Sequence, residues 1–333
     1  MGKEDVYKAI ADVCKAETEA MLEKENVVGV AIGHKILEKE GDRDTGEPCM
    51  MLFVSHKVEK DELKSEDMIS KTIKGLKTDV LATGEIFAGE GFSADNAETT
   101  TTDEIGIETL RQRIRPAMGG FSVGHPKVTA GTIATCVYDL EPFPGIPRRY
   151  YILSNNHVLA NSNNAQIGDP ILQPGRYDGG TLPGDIIARL SGFVTIKFKT
   201  ATSAPLNYVD AAIAEGEFHN LNREIYWIGY VKQVNSKPQL GETVEKTGRT
   251  TNFTTGKILA LNATVDVNYG GGRVARFAKQ IVTTNMSAGG DSGSLVCDIK
   301  EGAVGLLFAG SSKVTIVNNI LPVQKYLGIR LHP

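Results

Sequence analysis

Ser287–Val296 (SAGGDSGSLV) places one hydroxyl in a glycine-rich turn directly before an apolar run. Glycines on both sides of Ser292 permit unusual backbone angles and remove side chains that would block an approaching carbonyl group. The backbone N–H groups of Gly290 and Ser292 are placed to form an oxyanion hole, which stabilises the oxygen on which negative charge develops. The stretch therefore predicts a reactive serine on a tight turn.

Two further segments supply the groups that such a serine needs, because its hydroxyl is a weak nucleophile without a base. Tyr150–Leu159 (YYILSNNHVL) is an apolar strand that ends in small polar residues and then presents His157. Asn207–Ala214 (NYVDAAIA) carries Asp210 within an otherwise apolar strand. An imidazole can take the hydroxyl proton, and a buried carboxylate can fix the tautomer of that imidazole. We therefore predict His157, Asp210 and Ser292 as the catalytic residues. Asp169, Asp178 and Asp185 are nearby alternatives to Asp210, although none of them lies in an apolar strand.

The three segments resemble the trypsin/chymotrypsin-fold serine proteases. The order His157, Asp210, Ser292, at intervals of 53 and 82 residues, is the order of that clan. In contrast, α/β-hydrolases run Ser–Asp–His and subtilisins Asp–His–Ser. The resemblance covers roughly residues 115–331, and it implies a chymotrypsin-like double β-barrel with the active site between the barrels. It also implies peptide-bond hydrolysis through an acyl-enzyme.

A closer resemblance is to the intracellular trypsin-like group that includes the plant narrow-leaf proteases and bacterial relatives. Val27–Lys35 (VVGVAIGHK) is similar to the N-terminal module of that group, which precedes the protease domain. The segments 119–125 (GGFSVGH), 168–175 (GDPILQPG) and 246–251 (KTGRTT) are also similar to it. The resemblance thus extends over nearly the whole chain.

The resemblance also implies residues that contact a substrate. Met286, six residues before the serine, corresponds to the floor of the S1 pocket, and an apolar floor favours an apolar P1 residue over Arg or Lys. Gly305 and Gly310 lie on a strand that would pair with the substrate backbone and leave the pocket walls open. Asp291 requires a partner, either an N-terminus freed near Gly119 or a side-chain or backbone group, and both remain open.

Composition excludes several classes of protein. The 333 residues include 36 Lys+Arg and 40 Asp+Glu, a net charge of −4, so the basic footprint of a nucleic-acid-binding protein is absent. The longest apolar runs fall well short of the ~20 residues that span a bilayer, and no apolar leader opens the chain. Four separated cysteines form no C-x-x-C pair. We predict a cytoplasmic protein without disulfides, metal, other cofactors or a membrane partner, whose partner is a protein or peptide substrate; homo-oligomerisation is left open.

The residue pattern divides the chain into three parts. Residues 1–88 predict a small α+β module: an amphipathic helix, a hairpin of Val27–Ile36 and Cys49–Val58, a short helix over Glu59–Ser70 and a strand pair within Gly75–Ala88. Residues 89–114 are poor in apolar side chains and predict a mobile linker. Residues 115–333 predict about ten to twelve short strands, Gly256–Leu261 and Thr264–Tyr269 among them, and hence a mostly β domain built as a barrel or a sandwich pair. The resemblance implies that this part is the trypsin-like serine protease domain.

The N-terminal module leaves two hypotheses: it gates the protease, or it recruits the substrate. Two rival functions also stand beside an endopeptidase. One is a self-processing protease that cuts only its own linker, and the other is a non-catalytic scaffold with a vestigial triad.

Overall fold

The computed structural model describes residues 2–37, 41–89, 108–140 and 149–332. Strands make up 45% of the described residues and helices 14%, which confirms the mostly β fold class. The α-helices are α1 (Lys3–Leu22), α2 (Asn156–Leu159) and α3 (Ile320–Leu327), and short 3-10 helices cover Glu108–Arg111, Arg176–Asp178 and Phe218–Asn220. The strands are β1 (Val27–Leu37), β2 (Arg43–Val54), β3 (Thr72–Ile73), β4 (Leu76–Ala82), β5 (Phe87–Ala88), β6 (Ala117–Gly119), β7 (Ser122–Val123), β8 (Gly131–Thr132), β9 (Cys136–Asp139), β10 (Tyr150–Ser154), β11 (Pro170–Leu172), β12 (Ile186–Phe193), β13 (Leu206–Asn207), β14 (Ala212–Gly216), β15 (Leu221–Ile225), β16 (Gln233–Val234), β17 (Thr243–Gly248), β18 (Asn252–Asn268), β19 (Val274–Thr284), β20 (Leu295–Asp298), β21 (Gly302–Gly310), β22 (Val314–Asn319) and β23 (Ile329–Arg330).

The N-terminal helix and hairpin form as the sequence predicts. α1 buries Ile10 and Cys14, one helical turn apart, against strands β1 and β2. β1 and β2 pair antiparallel, with Val30 opposite Leu52. Apolar residues on one face of a helix and along both strands are enough to determine this layer.

Two predictions for the module were wrong. Residues 59–70 form turns rather than a helix, because this short, mostly exposed segment has few apolar side chains to bury, and an unpacked helix of this length is marginal. Gly75–Ala88 contains β4 and β5, but these strands do not pair with each other. β4 pairs in parallel with β2, whereas β5 lies between β18 and β21.

The carboxyl-terminal half contains a closed ring of six antiparallel strands, in the order β17-β18-β19-β22-β21-β20 and back to β17. The separate strands expected over Gly256–Leu261 and Thr264–Tyr269 are one long strand, β18. The pairing of β18 with β19 shifts register near Asn262, which has a φ of 53°, but the strand continues through these shifts.

A second antiparallel sheet, in the order β11-β12-β14-β10-β9-β23, belongs to the middle of the chain. A buried cluster joins this sheet to the closed ring, because Leu153 and Ile213 pack in one core with Leu295 and Leu306. The end of β10 and the start of β14 therefore lie next to the start of β20.

The N-terminal module is hydrogen-bonded to the closed ring. β1 pairs antiparallel with β18, and Phe53 shares a buried core with Phe277 and Phe308. The division into 1–88, 89–114 and 115–333 remains a prediction. Most of the predicted linker, residues 90–107, lies outside the described residues, while Leu110, in the described part of the predicted linker, is fully buried.

Candidate active site

The ends of two neighbouring strands bring His157 and Asp210 together. Ser154, the last residue of β10, faces Ala212, the first residue of β14. His157 lies in α2, directly after β10, and Asp210 lies just before β14 rather than inside a strand. His157 Nδ1 is 2.7 Å from Asp210 Oδ2, and the His157 backbone N–H donates to Asp210 Oδ1 at 3.2 Å. The carboxylate therefore holds both the imidazole and the backbone that carries it.

Asp210 is fully buried and is held by three further residues. The Tyr269 hydroxyl donates to Oδ2 at 2.7 Å, and the Asp210 backbone N–H donates to Asn318 Oδ1 at 3.1 Å. The amide groups of Asn155 and Asn318 both donate to the Asp210 carbonyl. Burial, and then the Asp210 charge, raise the pKa of Tyr269 well above its usual value, so the phenol stays a proton donor.

The other imidazole nitrogen is available for chemistry. His157 Nε2 is buried and has no hydrogen-bond partner among the described residues. Because Nδ1 faces a carboxylate, it carries the proton, and Nε2 presents its lone pair. A buried imidazole in this state can accept a proton from a hydroxyl group that approaches Nε2.

The Ser292 turn lies against the strand that leads to His157. A Cβ at Gly293 would be 2.1 Å from Ser154 Oγ, so this approach requires glycine, and its φ of 98° favours glycine as well. Thr132 donates its N–H to the Ser292 carbonyl at 2.8 Å and its hydroxyl to the Gly290 carbonyl at 2.9 Å. Ser294 Oγ donates to the Asp291 carbonyl at 2.7 Å, which closes the turn from within.

Two amides of this turn point at no protein acceptor. Within the described part of the chain, neither the Gly290 N–H nor the Ser292 N–H donates a hydrogen bond, although both residues are buried or nearly so. Gly290 has a φ of 95°. Free amides beside a hydroxyl are the arrangement that an oxyanion requires.

Asp291 has an internal cationic partner, Lys246, so the side-chain alternative left open by the sequence is the one the structure contains. Both side chains are fully buried, with Nζ 3.2 Å from Oδ2. The carboxylate also accepts hydrogen bonds from the N–H groups of Thr250, Thr251 and Ala288 and from the Thr251 hydroxyl. Burial lowers the pKa of Lys246, and the Asp291 charge opposes this shift. The sequence did not predict this ion pair, because Lys246 and Asp291 lie 45 residues apart and belong to no common sequence pattern.

The predicted substrate-contacting residues occupy different environments. Met286 is buried in an apolar cluster of the ring. At Gly310, a Cβ would be 3.5 Å from Ser287 Oγ, so a hydroxyl lies beside that glycine. A Cβ at Gly305 would be 2.3 Å from the Asn318 carbonyl oxygen, so this glycine allows β21 and β22 to approach closely.

The described residues contain no group of three or more His, Cys, Asp or Glu side chains arranged to hold a metal ion. All four cysteines are free and buried, and burial raises the pKa of the Cys14, Cys49 and Cys136 thiols to about 12. None of the helices in this part of the chain is long and apolar enough to cross a membrane.

Comparisons with known proteins identify the family. The sequence model of the trypsin-like peptidase domain matches residues 134–306, more than half of the chain. Thermobifida fusca protease A is 15% identical with a TM-score of 0.43, and the match covers 65% of this chain and 97% of that chain. A Nocardiopsis protease is 18% identical with a TM-score of 0.44, covering 65% and 98%. No curated protein shows significant similarity. The chain therefore belongs to the trypsin-like peptidase family and is a serine protease.

Proposed function

We propose that the protein is an endopeptidase in which His157, Asp210 and Ser292 act as a catalytic triad. The observation that carries this proposal is the buried Asp210 bound to His157 Nδ1, which leaves Nε2 without a partner in the described structure. Ser292 Oγ attacks the peptide carbonyl carbon while its proton passes to Nε2. The C–N bond then breaks, His157 protonates the departing amine, and water hydrolyses the acyl-enzyme.

The amides of Gly290 and Ser292 stabilise the negative oxygen of the tetrahedral intermediate. Their lack of acceptors in the described residues supports this role, because a preformed donor requires no rearrangement when charge develops. The fully buried Lys246–Asp291 pair fixes the turn without a newly cut N-terminus. These features favour a working site over a scaffold with a vestigial triad.

The test is the substitution Ser292→Ala. We expect it to lower kcat for peptide hydrolysis by on the order of a millionfold and to abolish labelling by a serine-directed phosphonate. The exposed Ser236→Ala is the matched control and should leave both unchanged. If Ser292→Ala is still labelled at the wild-type rate, another residue is the nucleophile.

We propose an apolar P1 preference, set by Met286, with Gly310 in the pocket wall and Gly305 supporting the strand. Burial of Met286 in a cluster of apolar side chains supports this preference, because an Arg or Lys side chain placed against that cluster would lose its hydration and gain no charged partner from the members of the cluster. A peptide-library cleavage profile tests it. Preferential cleavage after Arg or Lys would contradict it.

We propose that the N-terminal module regulates the protease rather than recruiting its substrate. Pairing of β5 with β21 supports regulation, because the module then contacts a strand predicted to bind substrate. If recruitment were its role, disrupting this contact would leave hydrolysis of small peptides unchanged. A cytoplasmic location and membership of the narrow-leaf subgroup remain predictions from the sequence.

Self-processing is a second candidate, favoured by one contact: Gly89, the first residue of the predicted linker, lies beside the His157 imidazole. Intact mass after prolonged incubation, measured for wild type and Ser292→Ala, tests this candidate. A cut within 89–114 that occurs only in the wild type is the expected result. An uncut wild type that hydrolyses added peptides would exclude self-processing.

A further inference from the structure

One edge of β21 carries three segments in succession. β20 pairs with its first half, where Leu295 faces Leu306. The Ser292 turn follows, because the Gly293 N–H donates to the Leu307 carbonyl at 2.9 Å and the Leu307 N–H donates to the Ser294 carbonyl at 3.0 Å. β5 takes the remaining stretch, with Ala88 opposite Ala309 and Phe87 opposite Gly310. The strand β5 is therefore the next neighbour of the Ser292 turn along this edge.

The direction of β5 brings its end towards the site. β5 and β21 are antiparallel, so the chain from Phe87 to Gly89 runs from Gly310 back towards the Ser292 turn. At Gly89, a Cβ would be 3.6 Å from His157 Cδ2 and 3.9 Å from His157 Nε2. The backbone of Gly89 thus lies against the catalytic imidazole.

The segment is held on both sides. The Asn268 N–H donates to the Ile86 carbonyl at 2.8 Å, and the Ser311 hydroxyl donates to the Thr83 carbonyl. Ile86 and Ala88 are buried in the core that also contains Phe308. The module therefore places residues 83–89 firmly along the edge.

A peptide that adds a strand to a sheet edge needs the backbone groups of that edge, and two strands cannot use them at once. Ala309 and Gly310 are already paired with β5 on this side and with β22 on the other, where Gly310 faces Thr315. Gly89 has no side chain that could enter the pocket whose floor is proposed to be Met286. β5 is therefore held by backbone pairing and by the burial of Ile86 and Ala88, and not by a side chain in that pocket.

We propose that Phe87–Gly89 is a substrate-like strand that occupies the edge groove, defined by Ala309, Gly310, His157 and the Ser292 turn, and competes with substrates. The class of peptide accepted there is an extended segment with an aromatic residue opposite Gly310 and a small residue opposite Ala309. This inference rests on the proposed function of the same site. A substrate binds only to molecules in which β5 is displaced and the groove is open. The apparent affinity for substrate is therefore lowered in proportion to the fraction of molecules in this open state.

The experiment uses the full chain and a tripeptidyl phosphonate that carries Phe-Ala ahead of an apolar residue. Ala88→Asp places a charge at a buried position and should displace β5, and we expect it to raise the labelling rate about tenfold or more. Thr72→Asp, on exposed β3, controls for the added charge and should label at the wild-type rate. Phe87→Glu, at a half-buried position, is a second variant if Ala88→Asp does not fold. Equal rates in the wild type and a folded displaced variant would overturn the proposal.

A binding measurement separates failure of this inference from failure of the proposed function. A fluorescent peptide with the sequence of residues 83–89 (TGEIFAG) is titrated against Ser292→Ala and against Ser292→Ala with Ala88→Asp. We expect binding to the double variant to be at least about tenfold tighter. Equal binding, or binding to neither protein, would refute occupancy of the groove. Tight binding together with no labelling of any protein would leave occupancy standing and refute the Ser292 mechanism.

Discussion

The hydroxyl of Tyr269 donates a 2.7 Å hydrogen bond to the same Asp210 oxygen that holds His157 Nδ1. This hydrogen bond stabilises the buried carboxylate charge and limits the positions that the carboxylate can adopt. Because burial raises the pKa of Tyr269 well above its usual value, the hydroxyl stays protonated and acts as a donor.

We therefore expect Tyr269→Phe to lower kcat about tenfold, in line with ~1.5 kcal/mol for a hydrogen bond to a charged group. KM should change little, because the substitution keeps the ring that packs against His157 and removes only the hydroxyl group that donates to the buried Asp210. Tyr326→Phe, at an exposed site, is the control. A Tyr269→Phe enzyme with wild-type kcat would show that this hydrogen bond does not position the triad.

Removal of the Lys246 charge should destabilise the protein. Lys246→Met leaves the Asp291 charge buried without its cation, and we expect the free energy of unfolding to fall by about 3–5 kcal/mol. kcat should fall too, because Asp291 precedes Ser292. The measurements are denaturant unfolding and hydrolysis of a small peptide. Lys232→Met, in the exposed Lys232–Glu301 pair, is the matched control, and an equal effect of both substitutions would contradict the assignment.

Gly290→Ala should damage catalysis more than folding. Its φ of 95° is unfavourable for alanine, and the new Cβ would be 2.5 Å from Thr250 Oγ1, so the Gly290 amide must shift. Loss of one oxyanion donor lowers kcat by about 10²–10³-fold. Gly241→Ala has a similar φ of 79° with open space around it and controls for backbone strain. Matching losses of kcat in the two variants would argue against an oxyanion role for Gly290.

Acid stability should depend on Asp266. Burial alone would raise the pKa of this carboxyl, but hydrogen bonds from Arg276 and Lys199 outweigh it and lower the pKa below its usual value near 3.8. A carboxyl with a lowered pKa stabilises the fold above its unfolded pKa, and this stability is lost as pH falls through the folded pKa. Asp266→Asn should therefore lower stability at pH 7 and flatten the loss of stability below pH ~4. Unfolding curves from pH 7 to 2 test this, and an unchanged slope would refute it.

Local sequence patterns predicted those parts of the structure whose conformation is set by residues close to one another in the sequence. The period of α1, the two apolar runs of the hairpin and the glycine turn around Ser292 each encode a local conformation. His157 and Asp210 were also predicted as a pair, because each interrupts or ends an apolar segment, and the structure places His157 Nδ1 2.7 Å from Asp210 Oδ2. The helix predicted over residues 59–70 does not form, because a helix this short is stable only when its apolar side chains pack against the rest of the protein.

The sequence by itself determined the fold class, and it predicted His157, Asp210 and Ser292 as the reactive side chains. Only the tertiary structure decided that Lys246 neutralises Asp291 from 45 residues away, that Tyr269 binds Asp210 across 59 residues, and that β5 lies on the edge of β21. A buried polar group must find a partner, but its own sequence does not say which one. The closure of the ring and the register of its strands select that partner, because they set which distant residues meet.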